Sequence, residues 1–215
     1  MFLLIDTSTK NAGIAVYDKG QLINKQIWFS QYNHSQELFV ALENLFSETK
    51  LTISDITAIG LALGPGGYSS VRSGVSVGKT IAYTQKIPIF GHNTLDLEAS
   101  AHQSDEMKTC SVIEAGKSVL SYAVFDESGT RIGPDQVSDI ESIIEDLDDN
   151  TLICGEGVRT YEDTIKQLGY KIAKWDSQIP RIEALGSKTQ ERHLEGLAND
   201  LQDIEPIYAR PPSIG

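Results

Sequence analysis

The feature that most restricts how this chain folds is a repeat. Displaced by 108 places, Ile5 and Asp6 fall on Ile113 and Glu114, and Ala15, Val16, Tyr17 and Asp18 fall on Ala123, Val124, Phe125 and Asp126, six identical or closely similar positions within fourteen. Each copy then reaches a turn glycine, Gly20 in the first and, one residue late, Gly129 in the second. The element order recurs as well. Residues 2–5, 12–17 and 22–29 read as three strands, with Asp18-Lys19-Gly20 as a tight turn between the last two. Asn33 then sits at a helix start with Gln36 in the capping-box place, and Leu38, Ala41, Leu42, Leu45 and Phe46 follow at helical spacing. Residues 56–63 are an apolar strand, broken by Gly64-Pro65-Gly66-Gly67, after which a second helix runs from Ser69 or Ser70 to about Thr84, and residues 88–90 start a further strand. This is an antiparallel meander leading into parallel crossover units. In the second half, residues 151–154 form another apolar strand ending in Gly155-Glu156-Gly157 before a helical stretch over 158–168, as residues 60–66 precede the helix near 70. An internal duplication accounts for both the residues and the order. Two α/β lobes are expected, 1–100 and a smaller 101–215, with the polar stretch 100–108 between them.

Composition excludes several uses of such a fold. With 18 Lys+Arg against 30 Asp+Glu the formal charge is −12, so direct binding to nucleic acid or an anionic membrane lacks the basic surplus it starts from. Nine acidic residues and one Arg between 126 and 150 read as a solvated face. No apolar run approaches a membrane span, and the opening residues reach Asp6 too soon for a signal peptide. The two cysteines, Cys110 and Cys154, stand singly in apolar strands, without metal spacing or a disulfide framework. A cytoplasmic location is the expectation.

Four short patterns carry candidate chemistry. Asp6-Thr7-Ser8-Thr9 follows the first buried strand into a hairpin. In actin-, Hsp70- and sugar-kinase-type folds a loop at this place offers N–H groups and hydroxyls to nucleotide phosphates, with the acid near a hydrated Mg²⁺; the alternative is that these side chains only bond the turn. The corresponding second loop, Glu114-Ala115-Gly116-Lys117, has a longer acid and no hydroxyls. The segment 64–74 has a glycine-rich turn without the Lys-Ser/Thr end of a P-loop. In its helix Ser70, Gly74, Gly78 and Ala82 recur every four residues, a stripe of small side chains beside Val71, Val75 and Ile81 that permits close backbone approach, to the chain's own sheet or to a partner helix. The histidines, 34, 92, 102 and 193, include no two spaced three or four apart, which removes a helical HxxxH metal site.

Together these residues resemble the bacterial TsaB (YeaZ) family. The resemblance rests on residues 5–9, His34-Ser35, the segment Gly64-Pro65-Gly66-Gly67-Tyr68-Ser69-Ser70-Val71-Arg72-Ser73-Gly74, Ile87-Pro88-Ile89 and Glu205-Pro206-Ile207-Tyr208-Ala209-Arg210. The family pattern GPGSFTGLRIG differs at Gly67 to Val71 and at Ser73, and the stretch 114–117 departs from the family's usual Asp-Ala-Arg. The resemblance implies an actin-like ATPase (ASKHA, ribonuclease H-like) fold of two duplicated lobes, the second reduced; the sequence leaves open whether the C-terminal segment packs back on the first. It implies a non-catalytic scaffold role supporting TsaD in forming N6-threonylcarbamoyladenosine at position 37 of tRNAs that read ANN codons. TsaD, which carries HxxxH, is the implied heterodimer partner, TsaE joins a larger complex, a homodimer forms when TsaD is absent, and tRNA is met only indirectly. The implied interface is the pair of helices at 34–48 and 70–84, with His34, Glu37, Leu38, Ala41, Leu42, Leu45, Ser70, Val71, Gly74, Val75, Gly78 and Ala82 as its residues. Asp6, Thr7, Ser8, Glu114 and Gly116 would form a degenerate phosphate loop, with no catalytic residue, no metal and no intrinsic cofactor, ATP or ADP with Mg binding at most weakly or beside partners. The competing readings are a stand-alone ATP-hydrolysing enzyme using Asp6 and Glu114 and an M22-type glycoprotease, for which the sequence supplies no ligands.

Overall fold

The first strand shows no alternation of apolar and polar residues because both of its faces are covered. In the computed structural model, which describes residues 1–30, 33–103, 106–116, 118–174 and 181–209, β1 (Phe2–Asp6) is buried throughout. It runs antiparallel to β2 (Asn11–Asp18) and parallel to β4 (Ala58–Ala62). A central strand with neighbours on both sides and helices above and below has no wet side, so every position can be apolar. β2 turns into β3 (Gln21–Phe29) through Lys19 and Gly20, whose φ angles of 48° and 83° give the left-handed pair that suits the twist of a two-residue hairpin. With β5 (Ile89–His92) the sheet order is β3-β2-β1-β4-β5.

The second sheet repeats this order as β8-β7-β6-β9-β10, with the same pairing directions. Its strands are β6 (Lys108–Glu114), β7 (Leu120–Phe125), β8 (Arg131–Ser138), β9 (Thr151–Cys154) and β10 (Lys171–Ile172). The repeat visible in the sequence is shifted by one residue within each hairpin. Asp6 pairs with Gly13, seven residues on, whereas Glu114 pairs with Leu120, six residues on. If β6 is laid on β1, Tyr122 and not Ala123 takes the place of Ala15. The second lobe is pared down: α4 (Ile140–Glu145) has 6 residues where α1 (His34–Thr49) has 16, and β10 has 2. The acidic run is put to use in its turns, since Asp126 accepts from Ser128 and Thr130 N–H groups and Asp139 caps α4 through the Ser142 N–H.

Helices cover both faces of the first sheet. On one face α1 and α2 (Tyr68–Gln85) bury Leu38, Leu42, Leu45, Val71 and Val75 against Leu3, Ile5, Ile59 and Leu61. On the other, α3 (Thr94–His102) and α6 (Arg181–Leu194) bury Leu97, Ile182 and Leu185 against Phe2, Leu4, Ala15 and Phe90. Burying a side chain such as Leu185 contributes about 1.5–3 kcal/mol, which explains why the chain returns from the second lobe to seal the first. α5 (Val158–Gln167) stays with the second sheet. The tail then follows the first lobe: Asn199 bridges to Ile89 at the edge of β5, Lys79 donates to the Ile204 carbonyl at 2.8 Å and Ile207 N–H to the Leu63 carbonyl at 2.6 Å. One detail departs from the sequence expectation. Asn33 stands at the N-cap of α1 but makes no cap bond; its amide donates instead to Gln36 Oε1 at 2.6 Å, in place of the reciprocal capping box. In the expected boundary stretch 100–108, Ser104 and Asp105 lie outside the described residues, as do Lys117 and Arg210 of the motifs above.

Candidate functional site

The loop after β1 is where a nucleotide would sit in a fold of this type, and its groups are already engaged. Asp6 is fully buried. One of its oxygens accepts from the Ser8 N–H at 2.9 Å and hydroxyl at 2.6 Å, and the other accepts from Arg181 Nε. Arg181, itself buried, forks to Glu98 at 2.6 Å, to the Thr9 hydroxyl at 2.6 Å and to the Asn11 carbonyl at 2.7 Å. Burial opposes its charge, but Asp6 and Glu98 outweigh burial and hold the guanidinium more firmly charged than an ordinary arginine. The remaining hydroxyl is spent on α2: Thr7 donates to the Ser70 carbonyl at 2.6 Å and accepts from the Gly74 N–H at 3.1 Å. The glycine-rich turn closes over the same loop, with Gly67 N–H on the Ser8 carbonyl at 2.9 Å. A Cβ on Gly66 would lie 2.0 Å from that carbonyl oxygen, so only glycine fits there.

Opposite this loop the second lobe contributes Glu114, Gly116 and Glu156 to a cleft of about 380 Å³. Glu114 accepts from Thr160 at 2.6 Å and lies 3.7 Å from Lys10. Burial pushes the Glu156 carboxyl up, countered by the Thr9 hydroxyl and Arg181, and its Oε2 has no hydrogen-bond partner. Of the candidate loop residues the structure brings Ser8, Glu114 and Gly116 to one cleft, while Asp6 and Thr7 lie buried behind it in their own bonds. His34 borders the same cleft at the start of α1; burial lowers its pKa, with Glu37 pulling the other way. Among the described residues no group of three His, Cys, Asp or Glu is placed to hold a metal. Burial pushes the Cys110 thiol up to about 12 and that of Cys154 well above its ordinary value, so both are inert. The expectation that the chain holds no G-x-S-x-G nucleophile pattern is corrected by Gly74-Val75-Ser76-Val77-Gly78, which spells it. It lies inside α2 and not on the strained strand-to-helix turn that such a nucleophile needs.

The candidate interface residues divide differently from the expectation. Leu38, Ala41, Leu42, Leu45, Ser70, Val71, Gly74, Val75, Gly78 and Ala82 are all buried within the chain, while His34 and Glu37 are half-buried. The small-residue stripe faces the chain's own sheet: a Cβ on Gly74 would lie 2.4 Å from Thr7 Oγ1, and one on Gly78 2.5 Å from a Leu61 methyl. What α1 and α2 leave outside is a different set. Phe39, Val40 and Tyr83 are 61%, 53% and 73% exposed, and Phe39, Val77 and Ile81 line an apolar groove of about 520 Å³ between the helices. Near the start of α2, Tyr68 stacks on Tyr208 with ring centroids 4.9 Å apart, and Arg72 donates to the Tyr208 hydroxyl at 2.8 Å, which fastens the 205–209 motif to the glycine-rich segment.

Arg181 and Glu98 were not legible as site residues. Arg181 lies 175 positions from Asp6 and carries no motif; an isolated arginine heading the apolar face of a helix was the one available signal.

Two copies of a β3-β2-β1-β4-β5 sheet, with the loop after each first strand facing a shared cleft, define the actin-like ATPase class of fold. The likeness extends to the ADPNP-bound activator of 2-hydroxyisocaproyl-CoA dehydratase from Clostridium difficile, with a TM-score of 0.51 at 12% identity over 90% of this chain and 96% of that one. The family model described as "TsaD: tRNA N6-adenosine threonylcarbamoyltransferase" matches residues 28–203. The tRNA threonylcarbamoyladenosine biosynthesis protein TsaB of Bacillus subtilis is 26% identical over 217 residues, covering 97% of this chain and 93% of that protein. A Pseudomonas aeruginosa protein, described as similar to peptidase YEAZ, superposes with a TM-score of 0.81 at 20% identity, covering 97% and 99% of the two chains. This chain belongs to the TsaD family, in its TsaB (YeaZ) branch. No helix among the described residues is long and apolar enough to cross a membrane.

Proposed function

We propose that this chain acts in the formation of N6-threonylcarbamoyladenosine on tRNA as a non-catalytic partner of a TsaD-type transferase, docking through the outer face of α1 and α2. The observation that carries this reading is the apolar groove between the helices, where Phe39 stands 61% exposed beside Val77 and Ile81. Contiguous apolar exposure of this kind marks interaction surfaces. Because the family model spans most of the chain, a TsaD-type protein would carry a related helix pair to meet this one. A second copy of this chain uses the same face when that partner is absent, and TsaE joins the larger complex. The charge of −12 leaves tRNA to the partner's basic surface. What supports the non-catalytic reading is Asp6, whose charge is met by Arg181, and the loop hydroxyls, which are bound internally. On this reading ATP or ADP with Mg binds at most weakly or at the junction with partners.

Size exclusion of the chain with its cognate TsaD, followed by a tRNA modification assay, tests the proposal. Phe39→Asp places a charge at the centre of the apolar face without touching the core, and is expected to weaken association by about 2 kcal/mol, roughly thirtyfold, with an unchanged melting midpoint. Undiminished co-elution and modification by the folded variant would move the interface elsewhere. Titration with Mg-ATP separates the scaffold from a stand-alone ATPase, since saturable turnover by the isolated chain would overturn the non-catalytic reading.

A further inference from the structure

The groove between α1 and α2 is apolar along most of its length and charged at one point. Among the described residues that line it, Phe39, Leu42, Val77 and Ile81 supply hydrocarbon, and Arg72 is the one that carries charge. It stands at the end where both helices begin, beside the Ser35 and Ser73 hydroxyls, which bond each other at 2.7 Å. An exposed arginine ordinarily samples many rotamers, but this one is held. Its Nε donates to the Tyr208 hydroxyl at 2.8 Å, and its guanidinium carbon lies 4.3 Å from the centre of the Tyr68 ring, which itself stacks on Tyr208. The terminal nitrogens Nη1 and Nη2 make no hydrogen bond or ion pair with any described residue. Neither helix brings them a counter-charge. α2 contains Arg72 and Lys79 and no acid, and Glu37, Glu43 and Glu48 of α1 do not line the groove. The fork is therefore fixed in place with its remaining donors left to whatever covers the groove.

We propose that the segment covering this groove is an amphipathic helix of the partner that presents one carboxylate, Asp or Glu, to the Arg72 fork, with apolar side chains over Phe39, Val77 and Ile81. The inference rests on the docking face proposed above and adds to it the chemistry of what docks. Charge complementarity selects the carboxylate, because a planar guanidinium and a carboxylate pair bidentately. Covering Arg72 takes its charge out of water, which is tolerable only where an anion meets it. The hydrocarbon walls select the helix, whose residues three and four apart fill such a groove. A nucleic-acid strand fits less well, since it carries charge at every step and the groove offers a single cation. Because that cation sits at one end, the pair also fixes how far along the groove the partner helix lies.

Titration calorimetry of the intact chain with its cognate TsaD-type partner tests this. Arg72→Gln, with its fold checked by circular dichroism, is expected to weaken association about tenfold or more, and Arg72→Lys to recover only part of the loss. Arg72→Glu should block association until one Asp or Glu on the partner's docking helix is reversed to Arg. Tyr208→Phe breaks the same hydrogen bond but keeps the guanidinium, and should weaken association less than about threefold. Equal losses for Tyr208→Phe and Arg72→Gln would mean that Arg72 acts by fastening the tail, and would overturn the proposal. So would an Arg72→Glu loss that no single acid reversal restores. Wild-type affinity in Arg72→Gln, with Phe39→Asp still weakened, would overturn the carboxylate while leaving the docking face standing; wild-type affinity in both would remove the face as well.

Discussion

Arg181→Ala is expected to cost about 3–5 kcal/mol of stability, because it strips the counter-charge from two carboxylates in the dry junction between β1, α3 and α6. Asp6 would keep only the bonds from Ser8, and Glu98 would lose its closest donor. For a chain of this length the melting midpoint should fall by on the order of ten degrees, read by circular dichroism. Arg181→Lys should recover little, since one ammonium cannot fork to Asp6, Glu98, Thr9 and the Asn11 carbonyl at once. Asp6→Asn in the Arg181→Ala background should recover part of the loss, because it removes one of the stranded charges; the coupling in that double-mutant cycle isolates the pair. Arg131→Ala serves as the scale: its ion pairs with Asp96 and Asp135 are half-exposed, and about 1 kcal/mol is expected there. A loss no greater for Arg181→Ala would mean that the buried network is not what ties the last helix to the first loop.

The contrast between the legible and illegible parts of the molecule follows from distance along the chain. Helix α1 was expected at 34–48 and spans His34–Thr49, and the strand expected at 22–29 spans Gln21–Phe29, because apolar spacing and turn residues are local signals. The duplication was legible for the same reason, but its register was not. Whether Tyr122 or Ala123 stands opposite the place of Ala15 depends on the length of the β6–β7 loop, which an ungapped comparison of residues cannot read. The candidate loop was found from Asp6 to Thr9, while what governs it came from Arg181, on a helix whose return to the first lobe no local pattern encodes. The candidate interface residues are placed by a related effect. Apolar spacing on α1 and small residues on α2 mark the sides that pack, and in a sheet covered by helices those sides face inward. The outward side is mostly polar but carries Phe39, Val40 and Tyr83, and these exceptions to the amphipathic rule are the residues that apolar spacing alone passes over.

Gly74→Leu separates these two sides by experiment. The stripe of Ser70, Gly74, Gly78 and Ala82 invited a reading as a partner contact, and on that reading the variant would fold and lose association. The geometry predicts the reverse order of events. The first added carbon at Gly74 already meets Thr7 Oγ1 at 2.4 Å and an Ile5 methyl at 3.3 Å. Overpacking a core costs about 1–3 kcal/mol where neighbours can shift. Here Thr7 cannot shift freely, because its hydroxyl bonds both the Ser70 carbonyl and the Gly74 N–H, so relieving the clash breaks the contacts that seat α2 on β1. A loss above 3 kcal/mol is expected, read as a lowered midpoint and a reduced soluble yield before any partner is added. Gly78→Leu should follow through Leu61, somewhat more mildly, since the group it meets is the flexible end of an aliphatic side chain. Ser76→Leu, on the exposed side of the same helix and bordering the groove, should leave the midpoint nearly unchanged while altering association. A Gly74→Leu protein with the wild-type midpoint and no partner binding would return the stripe to the interface, and would mean that α2 sits farther from the sheet than a 2.4 Å approach allows.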